Sequence, residues 1–276
     1  MHFPSEGFSG VVRIGDESWA FGSADRAHDI PNTVDTRFAI ASGAKGFTAL
    51  VATEVLDPGL HVRELLGDDL PLIDGRVTVE HLLRHTSGIG DYCDEEVNAF
   101  EAYVMPVPVH ELATTEGYLE ALDGRPQKFE PGERFSYNNS GFVVLALLAE
   151  RATGRSFYEL VDELVCQRAG MTSTAFLRSD ELPGDAALGY LEDGRTNVFH
   201  LPVRGNGDGG IYTTLDDIDR FWTLVTADEP LGFAWTDPLR LVGADTGVSF
   251  TSARGRFTVI SNTSRGAWPI VRTLLQ

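Results

Sequence analysis

Of the 22 basic residues in this 276-residue chain, 20 are arginines and only two are lysines, Lys45 and Lys128. Arginine stays protonated in a protein, whereas a lysine removed from water can lose its proton and serve as a base. Lys128 lies in Arg125-Pro126-Gln127-Lys128, which reads as an exposed loop. Lys45 closes a Ser42-Gly43-Ala44-Lys45 segment at the start of a predicted helix, and residues i and i+3 share a helix face. The Lys45 amine can therefore reach the Ser42 hydroxyl and act as its base, given a pKa lowered by burial or by neighbouring positive character. At a helix N-terminus the Ser42 N–H can also point at the oxyanion that forms when the hydroxyl attacks a carbonyl. S-x-x-K alone is a short, common pattern, and it equally describes a serine that caps a helix with a solvated lysine one turn on.

A second group of candidates is Tyr137-Asn138-Asn139, just ahead of an almost wholly apolar segment. A phenol, with an ordinary pKa of about 10, can act as a base if a nearby ammonium stabilises its phenolate. The Asn139 amide offers both a donor and an acceptor, suited to holding a substrate amide or bracing Lys45. Taken alone, the same residues also describe a buried tyrosine with a satisfied hydroxyl, followed by a turn.

The elements that must position these groups follow from periodicity and punctuation. Residues 10–21 read as a strand pair about a turn at Gly15-Asp16-Glu17. A helix begins near Ser42 and ends at Asp57-Pro58-Gly59. The segment Val77–Leu83 reads as a short helix capped by Thr78 that stops at Thr86-Ser87-Gly88. Helices are predicted near Glu111–Leu122, over Gly141–Thr153 as a buried helix, and over Ser156–Arg168. Gly205–Gly210 is a turn-rich loop, and Thr213 or Thr214 caps a helix through Leu224. Strands at Gly247–Thr251 and Phe257–Ser261 and a helix at Pro269–Leu274 complete the chain. Strands at both ends with helices between predict an α/β domain built from both termini, residues 1–62 and 205–276, with a mainly helical domain, 63–204, inserted and the active site between them.

Composition narrows the function classes. A formal charge of −19 argues against nucleic acid or an anionic membrane as a partner, because both require basic patches. No apolar run approaches the roughly 20 residues needed to cross a bilayer. Residues 1–10 lack a basic and an apolar signal region, so a cytoplasmic location is expected. Cys93 and Cys166 are too far apart for a CxxC site and read as free thiols. His81 and His85 have metal-like i, i+4 spacing, but Leu82 stands where HExxH has its glutamate. No metal or cofactor is expected. GNGDGG lacks the Lys-Ser/Thr of a phosphate loop, and no G-x-S-x-G nucleophile elbow occurs.

The residues also carry a family resemblance. Phe38-Ala39-Ile40-Ala41-Ser42-Gly43-Ala44-Lys45, His81-Leu82-Leu83-Arg84-His85-Thr86-Ser87-Gly88, the stretch from Phe129-Glu130-Pro131-Gly132 through Tyr137-Asn138-Asn139-Ser140-Gly141, and Gly209-Gly210-Ile211-Tyr212-Thr213-Thr214 follow in the order seen in penicillin-recognising serine enzymes. The chain resembles the class C β-lactamase, esterase and D-peptidase group from about Gly10 nearly to its end. That resemblance implies an α/β (α+β type) fold of the β-lactamase/transpeptidase kind, with an antiparallel sheet flanked by N- and C-terminal helices. It also implies an acyl-enzyme on Ser42, with Lys45 and Tyr137 sharing the proton transfers. Such families carry Lys-Thr-Gly or His-x-Gly on a strand lining the cleft, and the candidate here is Asp245-Thr246-Gly247. In that alignment Gly247 lets substrate approach the strand and the Val248 N–H supplies the second oxyanion donor. An ionised Asp245 in the first position would repel a substrate carboxylate. Neutral esters, or substrates with an amine near the scissile bond, are then favoured over β-lactams and peptides with a C-terminal carboxylate; the other reading of Asp245 is a turn residue facing away.

The functional expectation is thus a serine hydrolase for a small ester or peptide-like substrate. Carboxylesterase comes first, D-amino acid amidase or peptidase second and β-lactamase third. A non-catalytic binding or sensor module on the same fold is the competing class, motivated by the altered third motif. Neither the natural substrate nor the oligomeric state can be read from the residues.

Overall fold

The computed structural model describes residues 7–95, 103–225 and 240–275. Part of the Tyr92–Pro108 loop, residues 96–102, lies outside this set. The chain opens with strands β1 (Gly10–Ile14), β2 (Glu17–Phe21), β3 (Ser23–Asp25), β4 (Ile30–Pro31) and β5 (Phe38–Ala39). A 3₁₀ turn, Ala41–Ala44, leads into α1 (Lys45–Val55), followed by α2 (Arg63–Leu66), α3 (Val79–Leu83), α4 (Leu119–Leu122), α5 (Ser140–Thr153) and α6 (Phe157–Val161). After β6 (Tyr212–Thr213) and α7 (Leu215–Leu224) come β7 (Arg240–Asp245), β8 (Val248–Ala253), β9 (Phe257–Ser261) and α8 (Ala267–Leu274).

The main sheet is antiparallel with order β2-β1-β9-β8-β7, so the first and last strands of the chain pair side by side. Both of its faces are covered. Val12, Val259 and Phe257 pack with α8 on one face, while Val11, Ile260 and Phe250 pack toward α1, α6 and α7 on the other. Coverage of both faces explains why Val11-Val12 and Val259-Ile260 are apolar in succession where a half-exposed strand would alternate. A third cluster gathers the outer face of α1 with α2, α3, α4 and one side of α5. Helix α5 lies between these cores: Ala146 and Ala149 join the sheet cluster, while Phe142, Leu145 and Leu148 join the helical one. Phe157, Leu160, Val165 and Phe176 fall within the span expected for the helical unit, yet they pack with the sheet cluster.

Local signals explain most boundaries. Thr78, Ser156 and Thr214 each accept a bond from the backbone N–H three residues on and so cap α3, α6 and α7. The helix expected over Glu111–Leu122 is broken into 3₁₀ turns at Val109–Glu111 and Glu116–Tyr118 before α4. Strand β7 was not expected. Its Arg-Leu-Val-Gly-Ala-Asp has little strand character of its own, and it forms as the partner of β8.

Gly243 sets how closely β7 approaches the turn that bears Ser42. A Cβ there would lie 2.1 Å from Ile40 O and 2.9 Å from Gly43 N, contacts that backbone cannot yield. Gly243→Val is expected to destabilise the protein by about 3 kcal/mol, at the upper end of overpacking costs. Gly75→Ala, with open space around the new methyl, should stay within about 0.5 kcal/mol. Urea unfolding of the two variants checks both values.

Candidate active site

The segment bearing Ser42 is held from both sides. Strand β5 pairs with β6, and Ile40 N donates to Ile211 O at 3.0 Å. The chain then turns at Ala41, whose φ of 46° lies in the left-handed region and costs a non-glycine residue about 1–2 kcal/mol. Gly43 N donates to Ile40 O at 2.9 Å. Ser42 thus emerges from a strained 3₁₀ turn one turn before α1 proper, with Lys45 as the first residue of that helix.

Lys45 is completely buried, at 0% exposure. Its Nζ donates to Ser42 Oγ at 3.1 Å, to Asn139 Oδ1 at 2.7 Å and to Asp208 O at 2.6 Å. Tyr137 Oη donates to Ser42 Oγ at 2.8 Å, and the Lys45 Nζ sits 4.9 Å from the centre of the Tyr137 ring. Ser42, Lys45, Tyr137 and Asn139 therefore meet around one hydroxyl, although some 95 positions separate the two halves of the group.

Asp91 fixes the turn that delivers Tyr137 and Asn139. Its carboxylate accepts from Asn139 N at 2.8 Å and from Ser140 N at 3.0 Å, at the start of α5, where the helix leaves N–H groups unpaired. His85 braces the other side. Its ring stacks 4.7 Å from Tyr137 and 4.9 Å from Phe142, and its Nδ1 accepts from Asn138 N at 3.1 Å. His81 is remote in role: its Nδ1 accepts from Thr78 N in the α3 cap. Among the described residues no cluster of His, Cys, Asp and Glu could hold a metal ion, and no helix is long and apolar enough to cross a membrane.

The electrostatics are those of one buried cation among carboxylates. Burial lowers the Lys45 pKa, against the opposing pull of Asp208, Glu95 and Asp91. Burial and the negative charge of Glu95 push Tyr137 well above the ordinary phenol range, so its phenol is a proton donor at neutral pH. Burial drives His85 down to about 3. A cavity of about 410 Å³ opens over Ser42, walled by Asn139, Asp208, Ala244 and Asp245 among others. Asp91, Asp208, Glu95 and Ala244 were not singled out in the sequence, where they look like ordinary loop and strand residues.

The structure places the third-motif candidates unequally. Asp245 ends β7 and lines the Ser42 cavity, half-buried, with desolvation raising its carboxyl to about 7. Thr246 and Gly247 form the β7–β8 turn, Gly247 with a φ of 77° and its N–H donating to Ser264 Oγ at 2.9 Å. A Cβ on Gly247 would meet Asn197 and Tyr190, not the Ser42 turn. Val248 lies across the hairpin from Asp245 and does not line the Ser42 cavity. Ala244 lines that cavity, and Gly243 packs against the backbone of Ile40 and Gly43. Asp245 and Val248 close a two-residue hairpin and are a bonded pair; Ala244, one residue out of phase on the edge strand, turns its N–H away from β8.

Comparison with known proteins agrees with this geometry. A sequence model of the Beta-lactamase family matches residues 6–269. The chain belongs to the Beta-lactamase family. It is 27% identical over 284 residues to a penicillin-binding protein of Bacillus subtilis (strain 168), covering 93% of this chain and 61% of that protein. It is 33% identical over 233 residues to a D-aminopeptidase of Brucella anthropi, covering 79% of this chain and 42% of that protein. The chain thus spans roughly two- to three-fifths of the length of these curated relatives. In structure it is similar to a penicillin binding protein from Bacillus halodurans, with a TM-score of 0.84, 33% identity and coverage of 98% of this chain and 96% of that one.

His85 makes a testable contribution to acid stability. Its folded pKa of about 3 lies below the unfolded value of about 6.5, so the unfolded chain binds the extra proton as pH falls between them. Stability contributed by neutral His85 is complete above about pH 6.5 and is lost on acidification, by up to about 1.4 kcal/mol per pH unit. His85→Asn retains a residue tolerant of left-handed backbone. Urea unfolding at pH 7, 6 and 5 should show the native protein losing its advantage over this variant; parallel pH slopes would contradict the assignment.

Proposed function

We propose that the protein is a serine hydrolase that forms an acyl-enzyme on Ser42, acting on esters or on amides such as those of D-amino acids. The observation that carries this reading is the Ser42 hydroxyl held between a buried Lys45 amine at 3.1 Å and the Tyr137 phenol at 2.8 Å. Neutral Lys45 takes the Ser42 proton as Oγ attacks the carbonyl carbon. The carbonyl oxygen gains charge and is met by the N–H groups of Ser42 and Ala244, on the two elements that Gly243 brings together. The Tyr137 phenol gives its proton to the departing alcohol or amine, and the proton held by Lys45 restores it. Water then attacks the acyl-enzyme by the same proton route in reverse and frees the acid.

The D-aminopeptidase relative supports amides of amino acids as substrates, and Asp245 and Glu95, both raised by desolvation, would be drawn into their charged forms by an amine near the scissile bond. The same charge disfavours β-lactams and peptides with a C-terminal carboxylate.

Intact-mass spectrometry after fluorophosphonate treatment tests the reading. One adduct is expected on the native protein and none on Ser42→Ala. Lys45→Met and Tyr137→Phe, each checked for native circular dichroism, should slow labelling by about 10²–10⁴-fold, the usual contribution of a general acid or base. No adduct on folded native protein would refute the proposal.

A further inference from the structure

Beside the Ser42 cavity lies a second, larger space of about 700 Å³, its open mouth included. Its lining is mainly apolar and includes Phe38, Tyr118, Leu177, Val198, Leu201 and Val203. The two spaces share a wall made by Tyr92, Asp208, Asp245, Leu201, Pro202 and Gly209, which line both. Two side chains beside this system are exposed although large and apolar: Phe199, at 84% and between the lining residues Val198 and His200, and Val104, at 82% and between Tyr103 and Met105. Burying such rim residues against a bound apolar group is favourable.

We propose that this chamber receives the acyl half of the substrate, that the group it takes is an uncharged apolar chain, and that Asp245 at the threshold excludes chains ending in a carboxylate. This deepens the hydrolase reading and rests on it. The side of the nucleophile follows from proton chemistry. A leaving group must depart next to its proton donor, Tyr137, which reaches Ser42 from the segment before α5, whereas the chamber is walled by β5, the start of β8 and residues 177–210. The group that enters it is therefore the one that remains on Ser42. Charge exclusion follows from the threshold. Asp208 accepts a 2.5 Å bond from Tyr92 Oη, and Asp245 accepts from the adjacent Thr246 N–H at 2.7 Å. Once Asp245 is ionised, above about pH 7, a carboxylate at this threshold would meet like charge with little water to screen it.

The test is a series of p-nitrophenyl esters from acetate to octanoate, assayed alongside p-nitrophenyl monoesters of dicarboxylic acids of matching length. kcat/KM is expected to rise about two- to fourfold per added methylene until the chamber is full, in line with burial of apolar carbon. The monoanionic esters should fall at least tenfold below their neutral counterparts, and Asp245→Asn should narrow that gap. Leu177→Trp and Val198→Trp, which fill the chamber from two sides, should lower the octanoate-to-acetate ratio at least tenfold. A flat or falling series with acetate turned over, or an unchanged ratio in both folded tryptophan variants, would overturn the chamber assignment and leave the hydrolase reading standing. Acetate that never acylates Ser42 would overturn both.

Discussion

A lysine Nζ cut off from water needs hydrogen-bond partners in its place, and much of this structure supplies them to Lys45. The acceptors come from three places far apart in sequence: Ser42 on the turn before α1, Asn139 at the start of α5, and the Asp208 carbonyl in the loop before β6. Each acceptor is itself fixed. Asp91 holds Asn139 through backbone bonds, Thr48 Oγ1 ties α1 to Gly207 O at 2.6 Å, and the β5–β6 pair sets the Ser42 turn against Gly210. The buried lysine thus serves as the point where the sheet, α1 and the helical side of the molecule are registered to one another.

The same constraint makes the site chemically useful. Burial works against the charged amine while Asp208, Glu95 and Asp91 work for it, and the net direction of the Lys45 pKa is down. Tyr137 is pushed the other way and keeps its proton. Two titratable groups driven apart by their surroundings, both bonded to one hydroxyl, stand where the proposed base and acid are needed. The strained Ala41 turn and the close approach allowed by Gly243 set that hydroxyl beside the β7 edge.

Much of this was legible in the residues. The rarity of lysine singled out Lys45, and the S-x-x-K and Tyr-x-Asn patterns gave the four groups that meet at Ser42. Capping threonines and apolar periodicity located α3, α5 and α7 to within about two residues. What was hidden has physical reasons. Strand β7 lacks strand propensity and exists through its pairing with β8, so the close approach of Gly243 to the Ser42 turn could not be read from the residues. Asp91 and Asp208 are loop aspartates whose importance arises only when the fold places them around a buried cation. The apolar chamber draws on residues scattered from Phe38 to Asn262, and no periodic pattern connects them.

The central claim is that Lys45 is a buried base with a lowered pKa. Because the chain has only two lysines, protein labelled with ¹³C at lysine Cε gives two signals, and Lys128→Arg leaves one. The pH titration of that signal measures Lys45 directly. The account predicts a midpoint clearly below the ordinary lysine value of about 10.4, lost in Lys45→Met. A midpoint at or above that value would mean that the carboxylates hold Lys45 as a permanent cation, and the base role assigned to it would be wrong.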